Sequence, residues 1–428
     1  MRRLIAVLAF ASASTAAQPI VVDHVTYVDS RNRLLQPNQT LILENGALRH
    51  GGAIPAIARR IDGRGKFAIP GLWDMHAHIG DLPPGWDELF LANGVIGIRE
   101  MAARQEHWAR QVQHKNRNVA PYLVHTIGSI DRDGPQAVPN AAAAPALVDR
   151  LARQGVDFLK VYNALTREAY FALAAEAHRR NLPLTGHLPD AITAIEAAGA
   201  SQKFIEHMDN ILLACSKNEA GYREIFVRGQ GLARPQVLAT FDPKKAEALA
   251  EEFVRSGTRI APTLIQQRGD TLDQSILNDT NLQYMERGWL TEWRTGLAVL
   301  RDLAFERRWF DKHREILRIF NRKSVRILAG TDSPAPFCVP GFSIHEELEL
   351  LAGSGLTPRA ALAAATVNVD DSFGNQHPPT LILLNANRLI DIRNTRKIET
   401  VIADGRILFR KDPDAMLANT KRRALASK

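Results

Sequence analysis

Between about residues 67 and 370 the chain alternates short apolar runs with amphipathic helical stretches, and this alternation restricts the fold more than any other feature of its 428 residues. Strands separated by helices are joined by crossovers, so they lie parallel with helices covering the sheet. Eight apolar runs qualify as strands: Phe67–Asp74, Val95–Arg99, Tyr122–Thr126, Phe158–Tyr162, Leu182–Gly186, Phe204–Glu206, Arg259–Thr263 and Val325–Gly330. Arg167–Asn181, Asp242–Ser256 and Ile344–Gly353 carry apolar residues at helical spacing. Eight strands in a chain of this length predict an α/β fold, a TIM (β/α)8 barrel, which takes roughly 250 residues and leaves enough for an accessory domain.

The two ends of the chain have a different texture. Leu41–Leu43 precedes Glu44-Asn45-Gly46, and Val401–Ala403 precedes Asp404-Gly405 and Ile407–Phe409. Asn-Gly and Asp-Gly between apolar runs mark hairpins. Both termini are therefore expected to build one small β-sandwich domain around the inserted barrel. The expected parts are 18–66 and 376–428 for the β-domain and its tail, and 67–375 for the barrel. The segment 208–258 is long for a barrel loop and is expected to cover the site.

Residues 1–17 begin with Arg2-Arg3, continue as the apolar run Leu4–Ala11, and end in small residues at Thr15-Ala16-Ala17. This is the pattern of a cleaved signal peptide, and it predicts an exported protein, periplasmic or secreted. No later run is long enough to span a membrane. The surplus of 8 positive charges is scattered and has no stacking aromatics among it, so nucleic acid is not an expected partner. The expected partner is a small-molecule substrate, and a homo-oligomer is compatible. Two cysteines, Cys215 and Cys338, allow at most one bridge.

The chemistry-bearing residues fall at the ends of the apolar runs, where TIM barrels carry their active sites. His76 and His78 stand two apart, so on a strand they project to one side, as two ligands of one metal must. Lys160 ends the fourth run, where a buried ammonium is costly without a partner. It either pairs with a carboxylate or reacts with carbon dioxide to become an anionic carbamate. His187 follows Lys160 by 27 residues and His207 follows His187 by 20, each one strand–helix unit. Asp332 closes Gly330-Thr331-Asp332 after the eighth run. Tyr162 lies two residues beyond Lys160 and is expected on the same side. His125 ends the third run and is a candidate substrate contact. His24, His50, His107, His114, His178, His313 and His377 read as surface residues, and His345 as structural.

Pro70-Gly71-Leu72-x-Asp74-x-His76-x-His78, with Lys160, His187, His207 and Gly330-Thr331-Asp332, resembles the amidohydrolase superfamily, nearest its prolidase-like and imidazolonepropionase-like metal-dependent hydrolases. The likeness runs over nearly the whole chain after residue 17. It implies two divalent metal ions, by donor type zinc. His76, His78 and Asp332 would bind one ion and His187 and His207 the other. N6-carboxylated Lys160 and a hydroxide would bridge them, with Asp332 also acting as general base. It further implies cleavage of an amide C–N bond, and the donors Tyr162 and His125 add the expectation of a carboxylate-bearing substrate, such as a dipeptide or an N-acyl amino acid. Tyr162 and His125 are the candidate donors to that substrate. Two positions depart from the family pattern: Arg99-Glu100 stands where Arg-Asp is usual, and the usual Gly-Lys-x-Ala-Asp turn is missing around residues 374–384. A lactonase or esterase and a mononuclear deaminase are the alternative enzymes on the same fold. A secreted binding protein without catalysis is the alternative from another class.

Overall fold

The computed structural model describes residues 18–29, 31, 34–82, 85, 87–228, 233–299, 301–374, 377–387 and 390–427. The expected signal peptide lies outside the described residues.

The N-terminal part forms β1 (Ile20–Asp29), β2 (Leu34–Glu44), β3 (Ala47–His50), β4 (Arg59–Asp62) and β5 (Phe67–Ile69). Parallel strands follow as β6 (Leu72–Ala77), β7 (Val95–Ala103) and β8 (Tyr122–Ile127). After them come β9 (Ile130–Asp131), β10 (Gln136–Ala137), β11 (Leu159–Val161), β12 (Leu184–Gly186), β13 (Gln202–Glu206) and β14 (Arg259–Ala261). The C-terminal part adds β15 (Leu381–Leu384), β16 (Ile398–Ala403) and β17 (Arg406–Phe409).

Both termini join in one eight-stranded sheet, ordered β17-β16-β15-β5-β1-β2-β3 with β4 also on β1. The two hairpin signals do what their residues require. Asn45 and Gly46 have φ of 51° and 73°, and Asp404 and Gly405 have 54° and 67°, the left-handed pair that a two-residue turn needs. His24, at φ 56°, bends β1 at a bulge, so that Ile20–Asp23 pair with β4 while Thr26 and Tyr27 pair with β5. Successive residues of β15 face opposite ways. Leu381 and Leu383 join Val22, Leu41 and Ile402 in a core private to this sheet, and Ile382 and Leu384 join the large core of the parallel strands.

One expected strand proves to be two. Phe67–Asp74 divides at Pro70-Gly71 into β5, in the terminal sheet, and β6, in the parallel one. Proline has no N–H for a ladder, and a Cβ on Gly71 would stand 2.1 Å from Ile96 Cγ1. The terminal sheet therefore reaches Ile69, past the expected boundary at 66.

The parallel strands form two open sheets, β6-β7-β8 and β10-β9-β11-β12-β13-β14, and among the described residues they do not close into an eight-stranded ring. The run Val325–Gly330 is not a continuous strand. It holds its neighbours through single bridges, Ile260 to Ile327 and Ala77 to Ser333, with Leu328 N donating to Ile260 O at 2.9 Å and Met75 N to Ala329 O at 2.8 Å. At the other seam Asp157 N donates to His125 O at 2.9 Å. Regular pairing fails beside Asp332, whose φ of 59° is incompatible with extended backbone.

The segment after β13 is helical: Asp209–Ala214, Glu219–Val227, Arg234–Ala239 and Pro243–Ser256. Among the described residues no helix is long and apolar enough to cross a membrane. Cys215 and Cys338 are both free and buried.

Candidate metal centre

His76 sits in β6, a strand buried at every position, and His78 follows its end. Asp74 ties this strand to the turn after the eighth run. Its carboxylate accepts from His76 N at 3.2 Å, Thr331 N at 3.0 Å and Thr331 Oγ1 at 2.5 Å. Burial pushes the Asp74 carboxyl up to about 6 against these bonds. The tie brings Asp332 over both histidines: His76 Nε2 and His78 Nε2 each lie 3.1 Å from Asp332 Oδ1. Burial opposes ionisation of Asp332, yet the charge of His76 and the close approach of both imidazoles hold it well below the usual carboxylate range. The donor atoms of His76, His78 and Asp332 lie within 4.8 Å of one another.

His187 and His207 come from the ends of β12 and β13. Gly186, at φ 117°, lets the chain turn there, and a Cβ on it would stand 2.2 Å from Val161 O. The His207 ring is 4.8 Å from that of His76 and 4.7 Å from that of His187. Burial holds His207 down to about 4 and His187 well below its ordinary value. Three of the four rings are held from outside by hydrogen bonds to Nδ1. The Nδ1 of His76 is 2.9 Å from Glu206 Oε2, that of His187 2.8 Å from Asn163 Oδ1, and that of His207 2.6 Å from Thr263 Oγ1. His78 Nδ1 lies 3.8 Å from Glu100 Oε1. Acceptors on Nδ1 fix the tautomer and leave the Nε2 lone pair for a cation. His76 Nε2 is buried and makes no aligned hydrogen bond. Imidazole nitrogen and carboxylate oxygen are the donors zinc accepts, so the residues fit such an ion.

Lys160 is 3% exposed in the middle of β11, and burial pushes its amine down. It makes no ion pair among the described residues, so the pairing alternative has no support. Tyr162 stands at the mouth, 37% exposed, its ring 4.2 Å from that of His187 and 6.0 Å from Lys160 Nζ. A cavity of about 290 Å³ opens over this half, lined among others by Asn163, His187, His207, Asn210 and Arg234, the last from the helical segment after β13.

Two expectations about histidines need correction. His125 does not face the site: its ring stacks 4.2 Å from Trp108 of the helix Gln105–Asn116, and burial drives it to about 3. On β8 it points to the covering helix, because alternation sends it outward. His313 is 1% exposed, packed beside Trp309 in the helix Leu303–Arg322. His345 is structural as expected, bridging Thr395 Oγ1 at 2.9 Å and Asn93 O at 3.1 Å.

Sequence reasoning missed the support of the site. Arg99 Nη2 donates to both oxygens of Glu206, at 2.6 and 2.7 Å, and Arg99 Nε donates to Met75 O at 2.6 Å. Glu100 accepts from Gly80 N at 2.9 Å and Ala102 N at 3.1 Å. The available signal was the presence of charged residues inside apolar parallel strands, where both faces are buried.

No family model matches the chain, and no curated protein matches it by sequence. Solved structures do match. A bottromycin amidohydrolase aligns with TM-score 0.73 and 24% identity over 94% of this chain and 90% of its own. A Bifidobacterium longum protein assigned as a prolidase aligns with TM-score 0.69 and 20% identity over 95% and 99%. A Xaa-Pro dipeptidase with methionine in its active site aligns with TM-score 0.65 and 14% identity over 92% and 100%. The chain shares its fold with these hydrolases of C–N bonds.

Proposed function

We propose that this protein is a metal-dependent amidohydrolase with a binuclear centre, acting on a small carboxylate-bearing amide such as a dipeptide or an N-acyl amino acid. The carrying observation is the set of four imidazoles, three of them hydrogen-bonded from outside through Nδ1, around Asp332 and a buried Lys160 that forms no ion pair among the described residues. The folds it shares with an amidohydrolase and a dipeptidase support amide cleavage. On this reading the two parallel sheets are arcs of a TIM barrel, and the terminal sheet folds into a β-sandwich.

Two divalent cations, zinc by donor type, would supply a water of lowered pKa and polarise the scissile carbonyl. His76, His78 and Asp332 would hold one ion and His187 and His207 the other. Burial pushes the Lys160 amine toward its neutral form, which would add its lone pair to carbon dioxide and release a proton to solvent, leaving a carbamate whose two oxygens would be further donors to the ions. Asp332 takes the proton of the attacking water and passes it to the leaving amine. Tyr162, aimed across His187, donates its hydroxyl to the developing oxyanion or to the substrate carboxylate. Tyr162→Phe separates these roles: KM alone rises if it binds the carboxylate, and kcat falls if it serves the oxyanion. His125 has no part in this scheme.

One observation favours a mononuclear deaminase instead, since among the described residues only His76, His78 and Asp332 close tightly enough to share an ion. Metal content decides, together with a screen of metal-loaded protein against dipeptides and N-acyl amino acids. Two ions per chain and turnover of an amide support the proposal, and one ion with release of ammonia supports the deaminase. Ligand binding without turnover of any amide, ester or lactone supports a binding protein.

A further inference from the structure

A second charged chamber lies at the opposite end of the eighth run. Val325–Ile327 border a cavity of about 570 Å³ whose lining includes Arg31, Ser324, Arg326, Thr357, Arg359 and Asp371. The six residues from Arg326 to Asp332 separate it from the metal centre by about 15–20 Å at strand rise.

The charges in this chamber do not balance. Arg31 Nη1 and Arg326 Nη1 reach the two oxygens of Asp371 at 2.8 and 3.0 Å. Arg259, alongside, donates to the main-chain oxygen of Asp371 at 3.1 Å, and the Arg326 charge helps burial to lower its pKa. Arg359, in the lining, makes no hydrogen bond or ion pair among the described residues, so its terminal nitrogens have no protein partner there. Three guanidiniums against one carboxylate leave a surplus of two positive charges in the lining.

We propose that this chamber binds a phosphate group, free or as a monoester. A phosphate carries a charge of about −1.5 to −2 at neutral pH, which matches the surplus. Its oxygens suit the fork of Arg359, and a guanidinium binds them in two parallel bonds. The volume exceeds what a bare phosphate fills, leaving room for the organic body of a monoester. Because the site is remote from the metal centre, its ligand stabilises the fold without competing with substrate.

Thermal unfolding of the full chain at constant ionic strength tests this, with sodium phosphate and glycerol phosphate as probes against chloride. A saturable rise in Tm with either probe is expected, and the more effective one tells free phosphate from a monoester. Arg359→Gln leaves both ion pairs of Asp371 in place. It should weaken the effect by roughly tenfold or more, the worth of a charged hydrogen bond, while hydrolysis rates stay unchanged. No saturable rise with either probe overturns the proposal. An equal rise in Arg359→Gln overturns it too, since it places the anion elsewhere, for instance on the metal centre.

Discussion

Glu206 holds the site together from behind. Its carboxylate receives Arg99 and the Nδ1 of His76, and both Arg99 and Glu206 are fully buried. Replacing one partner of such a pair strands the other charge in the interior. Glu206→Gln should therefore lower the unfolding free energy by roughly 3–5 kcal/mol, read by urea denaturation, and also weaken metal binding. A loss below about 1 kcal/mol would mean that the pair is relaxed by water. Asp332 is the opposite case, a residue whose proposed role is chemical. Asp332→Asn keeps the shape and loses the base, so kcat should drop by roughly 10²–10⁴ with part of the metal retained. A near-normal rate in that variant would refute the proton-transfer role.

The elements explain why these side chains meet. Three residues at the site, His207, Thr263 and Asp332, have φ of 65°, 46° and 59°, and each lies just past a strand or apolar run. Strain of this kind, costing about 1–3 kcal/mol per residue, persists only where the surroundings enforce it. Gly186 makes the matching turn without strain. Gly186→Ala would meet Val161 O and a forbidden φ, so it should displace His187, lower Tm and reduce bound metal. Unchanged metal content would show that His187 is not held by this turn. The helical segment after β13 is pinned from the side: Arg234 pairs with Glu306 at 2.6 and 2.9 Å and stacks 4.6 Å over Trp309. Arg234→Ala should raise KM several-fold while changing unfolding by about 1 kcal/mol or less, because the pair is partly exposed. Steady-state kinetics with the best screened substrate checks this, and an unchanged KM removes Arg234 from the substrate pocket.

At the scale of the whole molecule, the proposed metal ligands come from β6, β11, the ends of β12 and β13 and the turn after the eighth run, so bound ions would tie these elements together. Metal binding must then stabilise the fold by linkage, about 4 kcal/mol when the free ion is a thousandfold above its Kd. Chelator-treated protein should melt lower than the metal-loaded form and recover on adding zinc. Lys160→Ala should show a smaller difference between the two states and little turnover. A fully metallated, fully active Lys160→Ala would sink the carbamate. The terminal sheet packs one face on the parallel body through Ile69, Ile382 and Leu384 and keeps a separate core on its other face, away from the site. If the first seventeen residues are a signal, expression in a host with a periplasm should yield a mature mass starting near Gln18, and a product retaining Met1 contradicts it.

Spacing and residue type alone determined much of this protein. The parallel α/β class, both two-residue hairpins and the order His76, His78, Lys160, His187, His207, Asp332 along the strand ends could be read locally. Turn chemistry and period-2 projection act over a few residues. What lay beyond that range only the tertiary structure decided. Whether Val325–Gly330 pairs as a strand depends on the turn at Asp332. Which way His125 points depends on the register of β8 against its helix. That Arg99, in β7, serves a histidine of β6 through a glutamate of β13 rests on partners 107 and 130 residues apart. The surplus charge around Arg359 likewise appears only when Arg31, Arg326 and Asp371 are folded into one chamber. Burial sets the worth of each charge, and burial belongs to the assembled core and not to any segment of the chain.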